Sequence, residues 1–278
     1  MKEKQNFWSI PKAIIENKKL IFGLAKNDFK TKYAGSYLGT IWAFIQPIIT
    51  VLVYWFVFGA ALKPEAITSG NNIEVPFVCW LVCGLIPWFF FSDGWNGITS
   101  SLLEYSYLVK KVVFKIEVLP VVKLVSSLFV HLFFIGFGII LYLAYGFTPD
   151  WYWLQMLYYS IALCFFVLGL GYMTSALVLF FRDLSQIINI LMQVGVWVTP
   201  IMWQFETRSA GWPLWFRTIL QINPMFYIVQ GYRDAMVNKI WFWDRGWITI
   251  YFWVLAILMF AVGTSMFRRL RIHFADVL

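Results

Sequence analysis

Six long apolar stretches, at 37–62, 74–101, 117–145, 151–180, 184–204 and 246–267, divide the chain into spans and short polar connections. Each reaches the about 20 residues that a helix needs to cross a bilayer. They are too long and too uniformly apolar to alternate lipid-facing with lumen-facing positions, which excludes a membrane β-barrel. Ahead of the first stretch the period changes. Ile14, Ile21, Phe22, Ala25 and Phe29 recur near helical spacing, while Glu16, Asn17, Lys18, Lys19, Lys26, Asn27 and Lys30 fill the other face. That pattern predicts an amphipathic helix lying in the membrane interface within 1–36, ahead of a membrane domain at 37–278. Between the fifth and sixth stretches, the runs 212–222 and 225–237 are apolar but too short to span, and Asn223 and Pro224 separate them. They predict a re-entrant helical hairpin over about 211–237 on the outer side, because backbone at such a break must lie within protein or beside water. An outer amphipathic cap is the alternative. The expected fold is therefore all-α integral membrane: six transmembrane helices, an N-terminal amphipathic interfacial helix, and an outer re-entrant hairpin between spans five and six.

Composition strengthens the membrane reading. With 61% hydrophobic and only 13% charged residues, the chain carries more apolar surface than one core of 278 residues can hide, so lipid must cover much of it. The net charge of +8 is unevenly placed. Lys2, Lys4, Lys12, Lys18, Lys19, Lys26, Lys30 and Lys32 precede the first span, and Arg268, Arg269 and Arg271 follow the last. Lys110, Lys111 and Lys115 sit in the second connection and Arg182 in the fourth, whereas the first has only Lys63 and the third has none. The positive-inside rule then predicts a multi-pass protein of the cell membrane with both termini cytoplasmic, and it accounts for the charge without a nucleic-acid surface. The Lys-rich start lacks the apolar core and cleavage site of a secretory signal, so the N-terminus is expected to stay uncleaved.

Chemistry-bearing patterns are sparse. Cys79, Cys83 and Cys164 lie in apolar runs, and with His131 and His273 as the two histidines no metal site is expected. There is no GxxxxGK[ST] loop, dinucleotide fingerprint or HExxH run, so no enzymatic site and no cofactor is expected in this chain. The ionisable residues inside spans are Asp93, Lys123 and His131, and such groups usually face a bundle interior or a watery cavity. Lys123, near the cytoplasmic end of its span, is expected to snorkel or to pair with Glu117. His131 reads as a packed, hydrogen-bonded side chain. Asp93 sits among Ser92, Gly94, Asn96, Gly97, Thr99, Ser100 and Ser101, a stretch suited either to lining a conduit or to close helix approach. The aromatic residues, 21% of the chain, serve equally as interface belts, as at Trp151 to Trp153, or as a surface on which sugar rings slide.

Four stretches carry a family resemblance: KNDFKTKYAGSYLGTIWAFIQP at 26–47, LVKKVVFKIEVLP at 108–120, FFRDLSQIINILMQVGVWVTPI at 180–201 and INPMFYIVQGYRDAM at 222–236. In this order they resemble the permease subunits of type-2 ABC exporters that carry lipid-linked polysaccharides such as wall teichoic acid and O-antigen. Asn27 and Lys32 stand where that family commonly has Arg. The resemblance implies a homodimer, embedded among membrane lipids and joined to two copies of a cytoplasmic ATPase subunit that binds ATP and Mg, with a conduit between the permeases. It implies a coupling helix at 104–111, with Glu104, Tyr105, Ser106, Tyr107, Leu108 and Lys110 docking on the ATPase. It assigns the interfacial helix to gating lipid access and the re-entrant segment to an outer gate, with Trp42, Asp93, Asn96, Trp197, Asn223 and Pro224 in conduit or gate. The implied substrate is an undecaprenyl-diphosphate-linked glycan. Teichoic acid is favoured over O-antigen by YWFVFGAALKP and VPFVCWLVCGLIPWFFFSDG. Its diphosphate head falls to Lys26, Lys30, Lys32, Tyr33 and Arg182, which would serve equally to hold ordinary lipid headgroups. A permease for small molecules or lipids on the same six-span plan is the competing expectation.

Overall fold

The computed structural model describes residues 9–61, 67–68, 74–109 and 114–277. The chain opens with α1 (Ser9–Glu16) and α2 (Lys18–Thr31), which break at Asn17, whose side-chain amide donates to the carbonyl of Ala13 at 2.7 Å. α2 buries Ile21, Ala25 and Asp28, positions four and seven apart that share one helical face, against α6 (Leu119–Ala144). Gly35 and Gly39 then turn the chain with φ of 87° and 53°, a left-handed backbone that side chains resist. α3 (Trp42–Tyr54) follows and widens into a π-helical turn, Trp55–Ala61. A two-residue antiparallel ladder, Ile67–Thr68 with Glu74–Val75, precedes α4 (Phe77–Glu104) and the short α5 (Ser106–Val109). After α6 come α7 (Gln155–Val178), α8 (Leu184–Val198), α9 (Phe205–Ser209), α10 (Leu214–Ile222), α11 (Pro224–Arg233), α12 (Trp247–Leu270) and α13 (Phe274–Val277).

Among the described residues, five helical stretches are long and apolar enough to cross a membrane: Gly39–Gly59, Phe77–Glu104, Ile116–Ala144, Trp151–Val178 and Trp247–His273. The fifth apolar stretch of the sequence differs from its expectation. It forms only the 15 residues of α8, because Thr199, which precedes Pro200, is driven out of helix to a ψ of 130°. The expected span to 204 therefore stops early. Phe180, just before α8, packs on Phe274, and Trp197, at its other end, packs on Phe58.

α4 is the buried axis, packed on α6, α7 and α11, while α7 also packs along α12. The α7–α12 contact is close because Gly169 and Gly263 face one another. A Cβ on Gly263 would overlap the carbonyl oxygen of Gly169, and one on Gly169 would stand 2.7 Å from the backbone nitrogen of Phe260. Within this core His131 Nε2 meets the Ser160 and Tyr232 hydroxyls, both at 3.1 Å. α3 and α8 are the opposite case. α3 buries only Ala43 and Val51 and α8 only Ile188, leaving Trp42, Ile49 and Leu52 on one and Ile190, Val194 and Trp197 on the other exposed.

The first and last described helices, α1 and α13, lie at one end of the bundle, where Lys115 pairs with Glu16 at 2.9 Å and Arg271 pairs with Glu117. This N-terminal end carries α1, α2 and α5; the far end carries α9, α10 and α11.

Candidate functional site

At the N-terminal end α2, α4 and α6 converge on a polar cluster. Asp28 occupies the apolar face of α2 and is buried there, which a carboxylate tolerates only with partners. Lys123, buried in the second turn of α6, supplies one at 2.7 Å and also reaches Glu104, the last residue of α4, at 2.5 Å. The Tyr105 hydroxyl donates to Asp28 at 2.8 Å. Burial, and then the carboxylate that accepts its proton, push the Tyr105 phenol above its ordinary range. Further along α4, Lys32 pairs with Asp93, whose second oxygen accepts from Ser127 at 2.7 Å. Burial opposes the Lys32 charge, but the Asp93 carboxylate outweighs it, and the ammonium is held above its usual pKa. Burial likewise raises the neighbouring Tyr33 phenol.

These side chains wall a cavity of about 490 Å³, completed by hydroxyls and amides that include Asn96, Ser126, Ser185 and Asn189. A second cavity of about 450 Å³ shares Asp93 and Asn96 with the first. It rises between α3, α4 and α6 past Tyr33, Tyr54, Trp88 and Phe89. The two cavities adjoin at Asp93 and Asn96, and the second adds aromatic rings to its lining.

The family model for ABC-2 type transporters matches residues 19–237, which include every helix that lines these cavities. The chain belongs to the ABC-2 type transporter family. It is 26% identical over 262 residues, 93% of this chain and 95% of the relative, to an O-antigen export system permease protein RfbA of Klebsiella pneumoniae. It is 29% identical over 217 residues, 77% of this chain and 78% of the relative, to a protein of the same name from Myxococcus xanthus. The polysialic acid transport protein KpsM of Escherichia coli is 22% identical over 211 residues, 76% of this chain and 78% of its own.

In this ABC-2 chain the head-group residues suggested by the sequence divide. Lys32 and Tyr33 stand at the cavities, with Lys32 committed to Asp93. Lys26 and Lys30 are exposed on α2 and Arg182 is exposed in the turn after α7, all without an ion pair among the described residues. The coupling residues divide too. Glu104 and Tyr105 turn inward to Lys123 and Asp28, whereas Ser106, Tyr107 and Leu108 form α5, on which Tyr107 is 57% exposed. Lys110 lies outside the described residues. Of the conduit residues, Asp93 and Asn96 join both cavities, and Trp42 and Trp197 are exposed on α3 and α8. Asn223 and Pro224 are not part of this site. They break α10 from α11 at the far end, where Asn223 accepts from the Met225 amide at 3.0 Å and donates to Thr199 Oγ1 at 2.9 Å.

The pairing expected for Lys123 is corrected: Glu117 is taken by Arg271, and Lys123 turns to Asp28 and Glu104. Asp28 went unrecognised, although its register with Ile21 and Ala25 put a carboxylate on an apolar face. The hydroxyls of α6 and the amide of α8 escaped notice because nothing in the sequence sets them apart from the other polar residues of those helices. Among the described residues no group of three or more His, Cys, Asp or Glu is placed to hold a metal ion.

The far end holds its own buried charge. Arg233 donates to the carbonyls of Pro200 at 2.7 Å and Ile201 at 2.8 Å, and its guanidinium lies 3.5 Å from the centre of the Trp80 ring. Arg245 grips Asp234 through Nε at 2.6 Å and Nη2 at 2.5 Å. Lys239 reaches Asp150 at 3.0 Å and Arg217 reaches Glu206 at 3.5 Å. Among the described residues of the far end, Arg233 is the arginine bonded to backbone carbonyls.

Proposed function

We propose that this chain is the permease subunit of an ATP-driven polysaccharide exporter, moving a lipid-diphosphate-linked glycan from the cytoplasmic to the outer face of the cell membrane. The observation that carries this reading is the pair of adjoining cavities, the second lined by aromatic rings, beside an uncovered apolar face on α3 and α8. A second copy meeting that face closes the cavities into a conduit, with Trp42 and Trp197 at the seam. A small solute needs no such length of lining.

In this reading α8 completes a sixth crossing, α10 and α11 form the outer re-entrant gate around Asn223 and Pro224, and both termini are cytoplasmic. A separate ATPase binds ATP and Mg and docks on α5 through Tyr107. Its stroke reaches α2 through Glu104, Lys123 and Asp28, which link the end of α4 to the interfacial helix. The exposed, unpaired Lys26, Lys30 and Arg182 hold the diphosphate as the glycan threads inward. Names of the relatives favour an O-antigen-like or polysialic-acid-like polysaccharide over teichoic acid.

The test is reconstitution with the cognate ATPase subunit, supplying glycolipid extracted from the producing cells. ATP-dependent appearance of glycan on the trans side supports the assignment. Export of small solutes with no response to glycolipid overturns it.

A further inference from the structure

We infer that the inner cavity, within the reading proposed above, is a carbohydrate subsite that takes the sugars next to the diphosphate and not the diphosphate itself. The charge inventory argues this first. Three carboxylates, Asp28, Asp93 and Glu104, face two lysines, Lys32 and Lys123. Both lysines are already bound, Lys32 to Asp93 and Lys123 to Asp28 and Glu104. A diphosphate offers only acceptors and carries negative charge. Among the described residues, it would meet a wall of net negative charge with no free cation.

A sugar suits the same wall. Each hydroxyl both donates and accepts, so carboxylates, amides and other hydroxyls all serve as partners, and no charge need be neutralised. Asn189 and Ser185 on α8 and Ser126 on α6 line the cavity, and among the described residues their side chains have no hydrogen-bond partner. They are open positions in an otherwise satisfied cluster. Asn96 spends its amide N–H on the carbonyl of Ser92 at 3.0 Å, which leaves its oxygen to accept.

The adjoining cavity extends the fit. Past the shared Asp93 and Asn96, it presents Tyr54, Trp88 and Phe89, rings that cover the apolar faces of pyranoses. Its volume of about 450 Å³, with about 490 Å³ below, lies in the range of small-ligand sites. The diphosphate then remains outside, against Lys26, Lys30 and Arg182, and the cavity reads which sugar follows it. Lys32 belongs to the sugar site through its bond to Asp93.

The permease–ATPase complex in lipid nanodiscs separates these assignments. ATP hydrolysis is measured with no added lipid, with undecaprenyl diphosphate bearing no sugar, and with glycolipid from the producing cells. The ratio of the glycolipid response to the bare-lipid response is compared between native complex and Asn189→Ala plus Ser185→Ala. Both side chains lack internal partners, so their loss leaves folding bonds intact. The expected result is a ratio at least about fivefold lower in the variant, with the bare-lipid response retained, as the loss of one or two hydrogen bonds to sugar requires. An unchanged ratio overturns the sugar subsite while leaving the exporter assignment standing. Loss of the bare-lipid response in the variant also overturns it, since the cavity would then hold the diphosphate. If glycolipid fails to stimulate even the native complex, the exporter reading itself falls, and the subsite with it.

Discussion

The two ends of this bundle bury charge in different ways. At the far end Arg233, 2% exposed, is held by main-chain carbonyls of the turn that follows α8 and by the face of Trp80. At the N-terminal end the partners are side chains on separate helices: Lys123 on α6 meets Asp28 from α2 and Glu104 from α4, and Lys32 meets an Asp93 whose side chain is 37% exposed. Main-chain partners cannot be exchanged without refolding a turn. Charged side chains on three helices part whenever those helices do, and water stands ready to replace them. The far end is a fixed staple and the N-terminal end a set of contacts that can be remade.

The sharpest way to break this contrast is Arg233→Ala. It leaves two buried carbonyls unsatisfied and a void beside Trp80, so it should cost about 3–5 kcal/mol, read as a lower unfolding midpoint of the detergent-purified protein. Arg233→Lys should recover little, because an ammonium cannot span both carbonyls and stack. Next comes Lys123→Ala, which strands buried Asp28 and should cost about 2–4 kcal/mol. Adding Asp28→Asn removes the stranded charge and should restore most of the midpoint, whereas no such second change rescues Arg233→Ala. Smaller again, Lys32→Ala should change stability by at most about 1 kcal/mol, since that pair is partly solvated. It should still lower glycolipid-stimulated ATP hydrolysis through the freed Asp93. Least of all, Lys115→Ala should leave the unfolding midpoint unmoved. The Glu16 carboxyl, which the Lys115 hydrogen bond holds below its usual range, should then titrate at higher pH. If Lys32→Ala destabilises more than Arg233→Ala, the contrast fails.

Much of the fold was legible because lipid imposes one rule, continuous apolar length, and the five long spans obey it. α8 was misjudged in length because hydropathy continues through Thr199 and Pro200, whereas backbone sterics stop the helix there. The site was legible only in part. Asp93 and Asn96 stood out as polar residues within an apolar run. The partner of Asp93 lies 61 residues away and that of Lys123 lies on α2, and no helical periodicity relates positions on different helices. Glu117, six residues before Lys123, looked the natural partner by nearness along the chain, but the C-terminal Arg271 reaches it instead. The role of Arg233 was not legible because backbone carbonyls leave no mark in a sequence.

The facing glycines of α7 and α12 have a mechanical consequence. With main chain against main chain at Gly169 and Gly263, there is no slack for one helix to slide along the other, since any shift drives Phe260 or Met173 into the gap. Those two helices behave as a single rigid plank, the stator of the machine. Whatever swings during a cycle must do so on the other side, where α3 and α8 have little of their own chain to hold them back.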